Sequence, residues 1–548
     1  MYNLLLKTIL WISVFFCVSH CIAQVQPLKE LYPGPESSLD FKTSIISANG
    51  KLFFTGNDYI SGKEPFVYDP QTDKYTLLMD INIGNSNSGI FSSKLFNDFI
   101  IFPAKNSKED YELYATNTKL NSVILLKNIN ANSSGISDYY SSISTPLGLF
   151  FTADDGKNGE ELWITDGTSI NTILLKDIEV GKNSSFPELY AYNPFLKKVI
   201  FAATTQSKGR EYYISDGTPL GTYLLKDINP GDLIGDTRSA CSVDSLFYFI
   251  AEDDKDGKQI WKSDGTQSGT TQVTNNSSQF NNPFSLIPFG NKCLFFANGQ
   301  QFYITDGSLT GTILLSNSLI PYPPGFINFN TQSWVNLNNK IYFAADQTST
   351  GENMELFVTD GTKDGTKLLK EIFPGGNAYV TNLFKFNNKI YFSAYGAHKE
   401  REELWSSDGS NENTKLLADI NPGNEPSYPN NFVILDSCLY FTADVYLKGN
   451  ELFRYCESIT TSNNEEYNIN GNRVKIYPNP ATSKINILTN SEVTKIQLFT
   501  NLGLCISNTE GNIKQLNFDN LNLNKGIYYI VISYKDKSNE VEKLFINN

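Results

Sequence analysis

Along most of the chain, short runs of apolar, aromatic and β-branched residues are separated by clusters of Asn, Asp, Gly and Ser, and the runs come in fours. Val380–Phe386, Lys389–Ala394, Glu403–Ser407 and Thr414–Ile420 make one such set. Runs this short with these boundaries predict β-strands, since a helix needs an apolar stripe of period 3.6 over a longer stretch. The clearest connection lies in Glu161–Ile178, E-L-W-I-T-D-G-T-S-I-N-T-I-L-L-K-D-I. Asp166-Gly167 between two β-rich runs predicts a hairpin, because Gly accepts the positive φ of the turn at little steric cost.

The same stretch returns along the chain. Aligned on the Glu or Gln that opens its first run, the copies begin at Glu64, Glu112, Glu161, Glu211, Gln259, Gln301, Glu355, Glu403 and Glu451. The successive spacings are 48, 49, 50, 48, 42, 54, 48 and 48 residues. Two residues on, every copy carries an aromatic: Phe66, Tyr114, Trp163, Tyr213, Trp261, Tyr303, Phe357, Trp405 and Phe453. A fixed period with four strand-like runs per unit predicts an all-β chain built as a β-propeller of about nine four-stranded blades. Near-continuous apolar runs such as Ile341-Tyr342-Phe343 fit strands packed on both faces. The repeated aromatic is expected to wedge between blades. A ring of sugar-stacking aromatics is the functional alternative.

In its fullest form the turn reads D-G-T-x-x-G-T, as at Asp216–Thr222, Asp264–Thr270 and Asp360–Thr366. Asn171 and Asn413 replace the second Gly in two copies. Gly and Asn enter the left-handed region at least cost, so that position is expected to be held by backbone geometry. The Asp is expected to accept N–H bonds of its own turn; metal binding is the alternative. Asn117 and Cys456 stand in the Asp position of the second and ninth copies.

These units resemble the ELWxxDGT repeat family of secreted bacterial proteins over most of the chain. The turn also resembles, more loosely, the Asp-box hairpin of sialidase-type propellers, which is structural there and lies away from the catalytic centre. The resemblance implies a propeller and secretion, and little about substrate.

The ends carry an address. Residues 1–23 hold Lys7, the apolar run Ile9–Val18 and a small residue at Ala23, the pattern of a secretory signal peptide cut before Gln24. The run is short of the ~20 apolar residues a membrane span needs, so no transmembrane helix is expected in the mature chain. A lipoprotein site at Cys21 is disfavoured by the bulky His20 before it. Residues 24–456 hold the repeats, and 457–472 are polar and aperiodic, a linker. Residues 473–548 contain alternating runs at Lys484–Leu488, Lys495–Phe499 and Gly526–Ser533, which predict a small antiparallel β-sandwich. This module resembles the type A sorting domain of the type IX secretion system. The marks are Tyr477-Pro478-Asn479-Pro480, Leu502-Gly503, Gly526-Ile527-Tyr528-Tyr529 and Lys543-Leu544-Phe545-Ile546. The resemblance implies the type IX machinery as a partner, passage through the periplasm, and removal of the module at the outer surface.

Composition narrows the chemistry. With 44 basic and 58 acidic residues the net charge is −14, which makes nucleic acid and anionic membranes poor partners and leaves cations or neutral polymers such as glycans open. Five cysteines remain after residue 23, dispersed and odd in number, so they form no disulfide framework. Cys293 and Cys438 lie in apolar runs and are expected as buried free thiols. His398 is the only histidine past the leader, in a polar loop, which leaves no basis for a Ser-His-Asp triad or a His-based zinc site. No phosphate loop, CxxC pair or dinucleotide fingerprint occurs.

Carboxylates are the remaining route to catalysis. Acids cluster between second and third strands at Asp154-Asp155, Asp253-Asp254 with Asp256, Asp346 and Asp444. Asp254 and Asp256 are weak calcium candidates, because D-K-D-G resembles part of a calcium loop but lacks the later ligands. In an up-down blade these loops share one face with the blade-to-blade links, such as Asp227–Gly231 and Asp419–Gly423, and the Asp-Gly turns occupy the other. Variable loops on a rigid scaffold are where binding resides. Asn328–Leu337, expected along the central channel, shows no recurring acidic pair. The sequence therefore favours a non-catalytic surface or extracellular protein that binds a glycan or a protein. The alternative is a carboxylate-dependent glycan-active enzyme.

Ring closure can also be read. The ninth unit lacks a fourth strand, while Pro27–Gly34 matches the L-L-K-D-I-N-P-G of Leu224–Gly231. The N-terminal segment is expected to complete blade nine, antiparallel to Glu451–Tyr455.

Overall fold

The computed structural model describes residues 25–457 apart from 40–43, 138, 232–236, 238, 276–279, 322–333, 349–352, 397–400 and 424. In the C-terminal part it describes 474–477, 481, 484–489, 492–500, 505–511, 514–517, 523, 526–535 and 539–546. Residues 1–23, most of the linker, His398 and the first half of Asn328–Leu337 lie outside these. The chain divides into two compact units, Met1–Ser458 and Ile459–Asn548.

In the first unit the described strands form nine antiparallel sheets, one per repeat, and all but the ninth run in sequence order from an inner to an outer strand. Blade 3 is typical, with Ser142–Thr145, Gly148–Asp154, Glu160–Thr165 and Ile173–Lys176. Blade 7 gains a short strand, Ile320–Pro321, from the extra residues behind its long spacing. The second strands are buried on both faces along most of their length, which explains their unbroken apolar runs.

Neighbouring blades share one apolar core at each junction, and the last joins blades 9 and 1 through Leu435, Tyr440 and Leu452 against Leu52, Phe54 and Tyr68. The ring is therefore closed. Each repeated aromatic sits in the core shared with the preceding blade: Tyr114 with Phe53, Trp163 with Ile101, Trp405 with Tyr342. None is more than 8 % exposed, so all nine are wedges and none is a stacking platform.

Closure uses the N-terminal segment. Val25–Pro27 pairs antiparallel with the third strand of blade 9, Val25 opposite Tyr455 and Pro27 opposite Phe453. The strand ends where the expected one begins, but the register is that of the match: the Leu28 amide donates to Leu452 O at 2.9 Å, as the Leu225 amide does to Tyr212 O. Pro27 fits because an outer strand has no further neighbour to bond.

The Asp-Gly turn behaves as an Asx-turn. Thr168 donates its amide (2.9 Å) and its hydroxyl (2.7 Å) to Asp166 Oδ1, and these bonds hold the Asp166 carboxyl below its usual range. Gly167 has φ 91°, as the turn requires. The second Gly, however, does not occupy the left-handed region, and neither do Asn171 and Asn413. A Cβ at Gly221 would lie 2.0 Å from Asp216 Oδ1, so the position is kept small by the Asp carboxylate. Where Asn stands instead, its amide donates to the other carboxylate oxygen, at 2.7 Å from Asn171 to Asp166. The reason is chemical contact rather than φ.

The repeated Glu, used above only for alignment, has a structural task. Its buried carboxylate accepts amides 17 and 18 residues on, from the link to the next blade: Ile81 and Asn82 on Glu64, Ile228 and Asn229 on Glu211, Ile372 and Phe373 on Glu355. Burial raises Glu64, Glu112, Glu161, Glu211, Glu355, Glu403 and Glu451 from 4.5 to about 7, opposed by these link amides and, at Glu161, Glu403 and Glu451, by Ser185, Ser427 and Ser38. The folded state then binds more protons than the unfolded state between those values. Stability from this source is present below pH 4.5 and is lost as pH rises through about 7. The propeller should accordingly melt higher at pH 5 than at pH 8 in thermal scans; equal or reversed values would contradict the assignment.

Cys438 is not a free thiol. It is disulfide-bonded to Cys456, with 4.3 Å between Cα atoms. Blade 9 lacks the Asp-Gly hairpin, and Cys456 occupies the Asp position at the end of the third strand, where the bond ties it to Cys438 directly opposite on the second strand. Cys293 is a buried thiol as expected, and so is Cys241.

In the second unit, Val474–Tyr477, Lys484–Thr489 and Gln515–Asn517 form one sheet, and Cys505–Glu510, Val493–Thr500, Gly526–Tyr534 and Asn539–Ile546 the other. Ile485, Ile496, Leu498, Ile530, Ile532 and Leu544 fill the core between them. The two C-terminal sequence marks pair with each other: Gly526 faces Ile546, and Tyr529 faces Lys543. Tyr477 pairs with Asn486, while Pro478, Asn479, Pro480 and Gly503 lie outside the described residues.

Candidate functional site

The link face carries a cavity of about 910 Å³ spanning blades 2, 3 and 4. Its walls come from the segments leading into three inner strands and from the first residues of two third strands. They include Phe91, Lys94, Tyr139, Glu160, Phe186, Glu188 and Arg210. Strand alternation explains Glu160. Its neighbour Glu161 turns to the link, so Glu160 must turn the other way. Glu160 is 5 % exposed, and its Oε1 has no hydrogen-bond partner among the described residues. Burial, opposed by the Ser137 hydroxyl and aided by the charge of Asp154, raises its pKa. Burial also lowers the pKa of Lys94.

Arg210 organises the opposite wall. It donates Nη2 to Glu188 Oε2 (2.8 Å), Nη1 to Phe186 O (3.0 Å) and Nε to Thr237 Oγ1 (2.9 Å). The Tyr190 hydroxyl donates to the same Glu188 oxygen at 2.8 Å. Glu188 is thereby fixed beside a cation, and Phe186 is held by its carbonyl.

Phe186 itself is an outlier, with φ 46° and 49 % exposure. The position recurs. The residue before it donates its amide to the carbonyl opening the third strand, from Ser185 to Glu160, Ser88 to Lys63, Ala378 to Met354 and Ser427 to Glu402. The residues that follow are Phe186, Gly89, Tyr379 and Tyr428, all at positive φ. Gly is the low-cost choice there, and a bulky aromatic is strained. Three blades nevertheless carry an aromatic, each at least 40 % exposed.

The other acidic positions separate from this cavity. Asp154 and Asp155 accept amides of their own loop, from Gly156 (2.6 Å) and from Lys157 (2.9 Å). Asp254 is exposed, and Asp256 accepts from the Gln272 amide at 3.2 Å. Among the described residues no group of three or more His, Cys, Asp or Glu side chains is placed to hold a metal ion. The cavity residues are not legible as a site in the sequence because they are drawn from three successive units. The one visible signal was the doublet Glu160-Glu161, repeated at Glu402-Glu403.

Comparisons with known proteins bear on the two units differently. No curated protein sequence matches the chain. Among solved structures, the chain is similar to PorZ, a surface component of the type-IX secretion system of Porphyromonas gingivalis, at 14 % identity and TM-score 0.31, covering 92 % of this chain and 75 % of that one. It is also similar to the β-propeller domain of the Trilobed protease from Pyrococcus furiosus, at 13 % identity and TM-score 0.32, covering 67 % and 94 %. A third is an oligogalacturonate lyase in complex with manganese, at 10 % identity and TM-score 0.36, covering 80 % and 98 %. The propeller assignment rests on the sheets and their shared cores, not on these likenesses. No helix among the described residues is long and apolar enough to cross a membrane. Residues 475–547 match the secretion system C-terminal sorting domain, and the chain is exported by the type IX route to the cell surface or the extracellular space.

Proposed function

We propose that the exported protein is a non-catalytic glycan-binding propeller, with the cavity over blades 2 to 4 as its principal site. The observation that carries this reading is Phe186, an aromatic kept half-exposed at a strained backbone position that Gly would fill at less cost. Exposed rings at Phe186 and Tyr139 offer faces for sugar C–H groups, and Glu160, Glu188, Lys94 and Arg210 supply a few polar groups to orient hydroxyls. The E-L-W and D-G-T marks support placing the array with the ELWxxDGT-repeat secreted proteins. In this reading the leader 1–23 is removed, 24–456 form the binding domain, 457–472 link it to the sorting module, and 473–548 leave at the surface.

The test is binding of the full chain to a glycan panel. Phe186→Ala should weaken binding about tenfold or more, roughly 1.4 kcal/mol, without lowering the melting temperature. Binding to no glycan, or equal binding by the variant, would remove the reading; capture of a protein ligand at the same cavity would replace the ligand class.

One observation favours the enzymatic alternative. Glu160 and Glu188 line the same cavity, one pushed toward its protonated form by burial and the other ion-paired with Arg210, a division suited to acid and base roles. Product released from a bound glycan by the wild type but not by Glu160→Gln would establish that alternative.

A further inference from the structure

We infer that Cys241 and Cys293 are joined by a second disulfide in the exported protein, stapling blade 5 to blade 6. Cys241 lies in the inner strand Ala240–Val243 of blade 5, and Cys293 in the second strand Lys292–Ala297 of blade 6. They are 52 residues apart in sequence, yet their Sγ atoms stand 3.7 Å apart in the core the two blades share. A disulfide needs about 2.05 Å, so bonding requires the sulfurs to approach by roughly 1.7 Å. Their surroundings are apolar, with Val243, Tyr248, Ile250 and Phe295 in the same core.

Both thiols are buried, and burial pushes Cys293 well above the ordinary thiol range. In the finished fold neither is reactive, so the bond must form while blade 6 is still docking. The export route supplies the conditions, since the periplasm is oxidising, and the Cys438–Cys456 bond shows a cross-strand disulfide in the same chain. The oxidant is the disulfide of a thiol oxidoreductase. The Cys293 thiolate attacks it, forming a mixed disulfide and releasing one oxidoreductase thiolate. The Cys241 thiolate then attacks the Cys293 sulfur and expels the second. Two protons leave the propeller thiols, and two electrons reside on the oxidoreductase, now a dithiol. Of the five cysteines after residue 23, two pairs are thus accounted for, leaving Cys505 in the sorting module.

The test is to denature the exported protein in N-ethylmaleimide without reductant, digest it and map the peptides by mass spectrometry. The expected result is a linked peptide pair holding Cys241 and Cys293, with neither labelled; label on both in most molecules overturns the inference. Thermal melting gives a second reading. Reductant should lower the melting temperature of the wild type by several degrees more than that of Cys241→Ser/Cys293→Ser, which keeps only the Cys438–Cys456 bond. Equal responses overturn it.

Discussion

Deleting Gln24–Gly34 is expected to lower the melting temperature of the propeller by about 5 °C, because it removes the strand that completes blade 9. Val25 packs into the core of blades 8 and 9, and Leu28 and Leu31 pack into that of blades 9 and 1. Fully burying an aliphatic side chain is worth about 1.5–3 kcal/mol; these three are half-buried, and with the strand's backbone hydrogen bonds their combined loss is on the order of 5 kcal/mol. The deletion also uncovers the edge of Gly449–Cys456 at the junction where the ring closes. Differential scanning calorimetry of the two chains decides the matter, and a synthetic peptide of residues 24–34 added back should recover part of the loss. An unchanged melting temperature would mean that the ring is held by its blade-to-blade cores alone.

Truncating a wedge should cost nearly as much. Trp163→Ala removes the largest side chain from the core of blades 2 and 3, where it packs 6.2 Å from Phe151. With strands fixed on both sides the cavity cannot collapse, and the expected loss is roughly 3–5 kcal/mol. Trp163→Phe should cost far less. The indole Nε1 has no hydrogen-bond partner among the described residues, and Phe66, Phe357 and Phe453 fill the equivalent place in other blades. Denaturant titration of both variants tests the pair. A loss below about 1 kcal/mol for the Ala variant would show that the aromatic is not a wedge.

Both predictions rest on features visible in the linear chain. A repeat of four short apolar runs, an Asp-Gly turn and an aromatic two residues after a Glu specify strands, turn and buried face through local rules: short apolar runs bounded by turn residues, and positive φ at Gly. The register of the closing strand was equally legible, because Leu28 occupies the place of Leu225 in the repeat. Other features needed the ring. The repeated Glu shows its purpose only when the link folds back over it, and the second Gly of the turn only when the Asp216 carboxylate lies where a Cβ would stand. Cys438 meets Cys456, and Cys241 approaches Cys293, through strand pairing and blade packing that spacing does not encode. The cavity is the extreme case. Glu160, Phe186, Glu188 and Arg210 come from two blades, and Lys94 from a third, so no single unit contains the site. A repeat reports what its copies share, because each blade must pack on the next in the same way. A binding site arises where copies differ, and only the curvature of the closed ring determines which of those differences become neighbours.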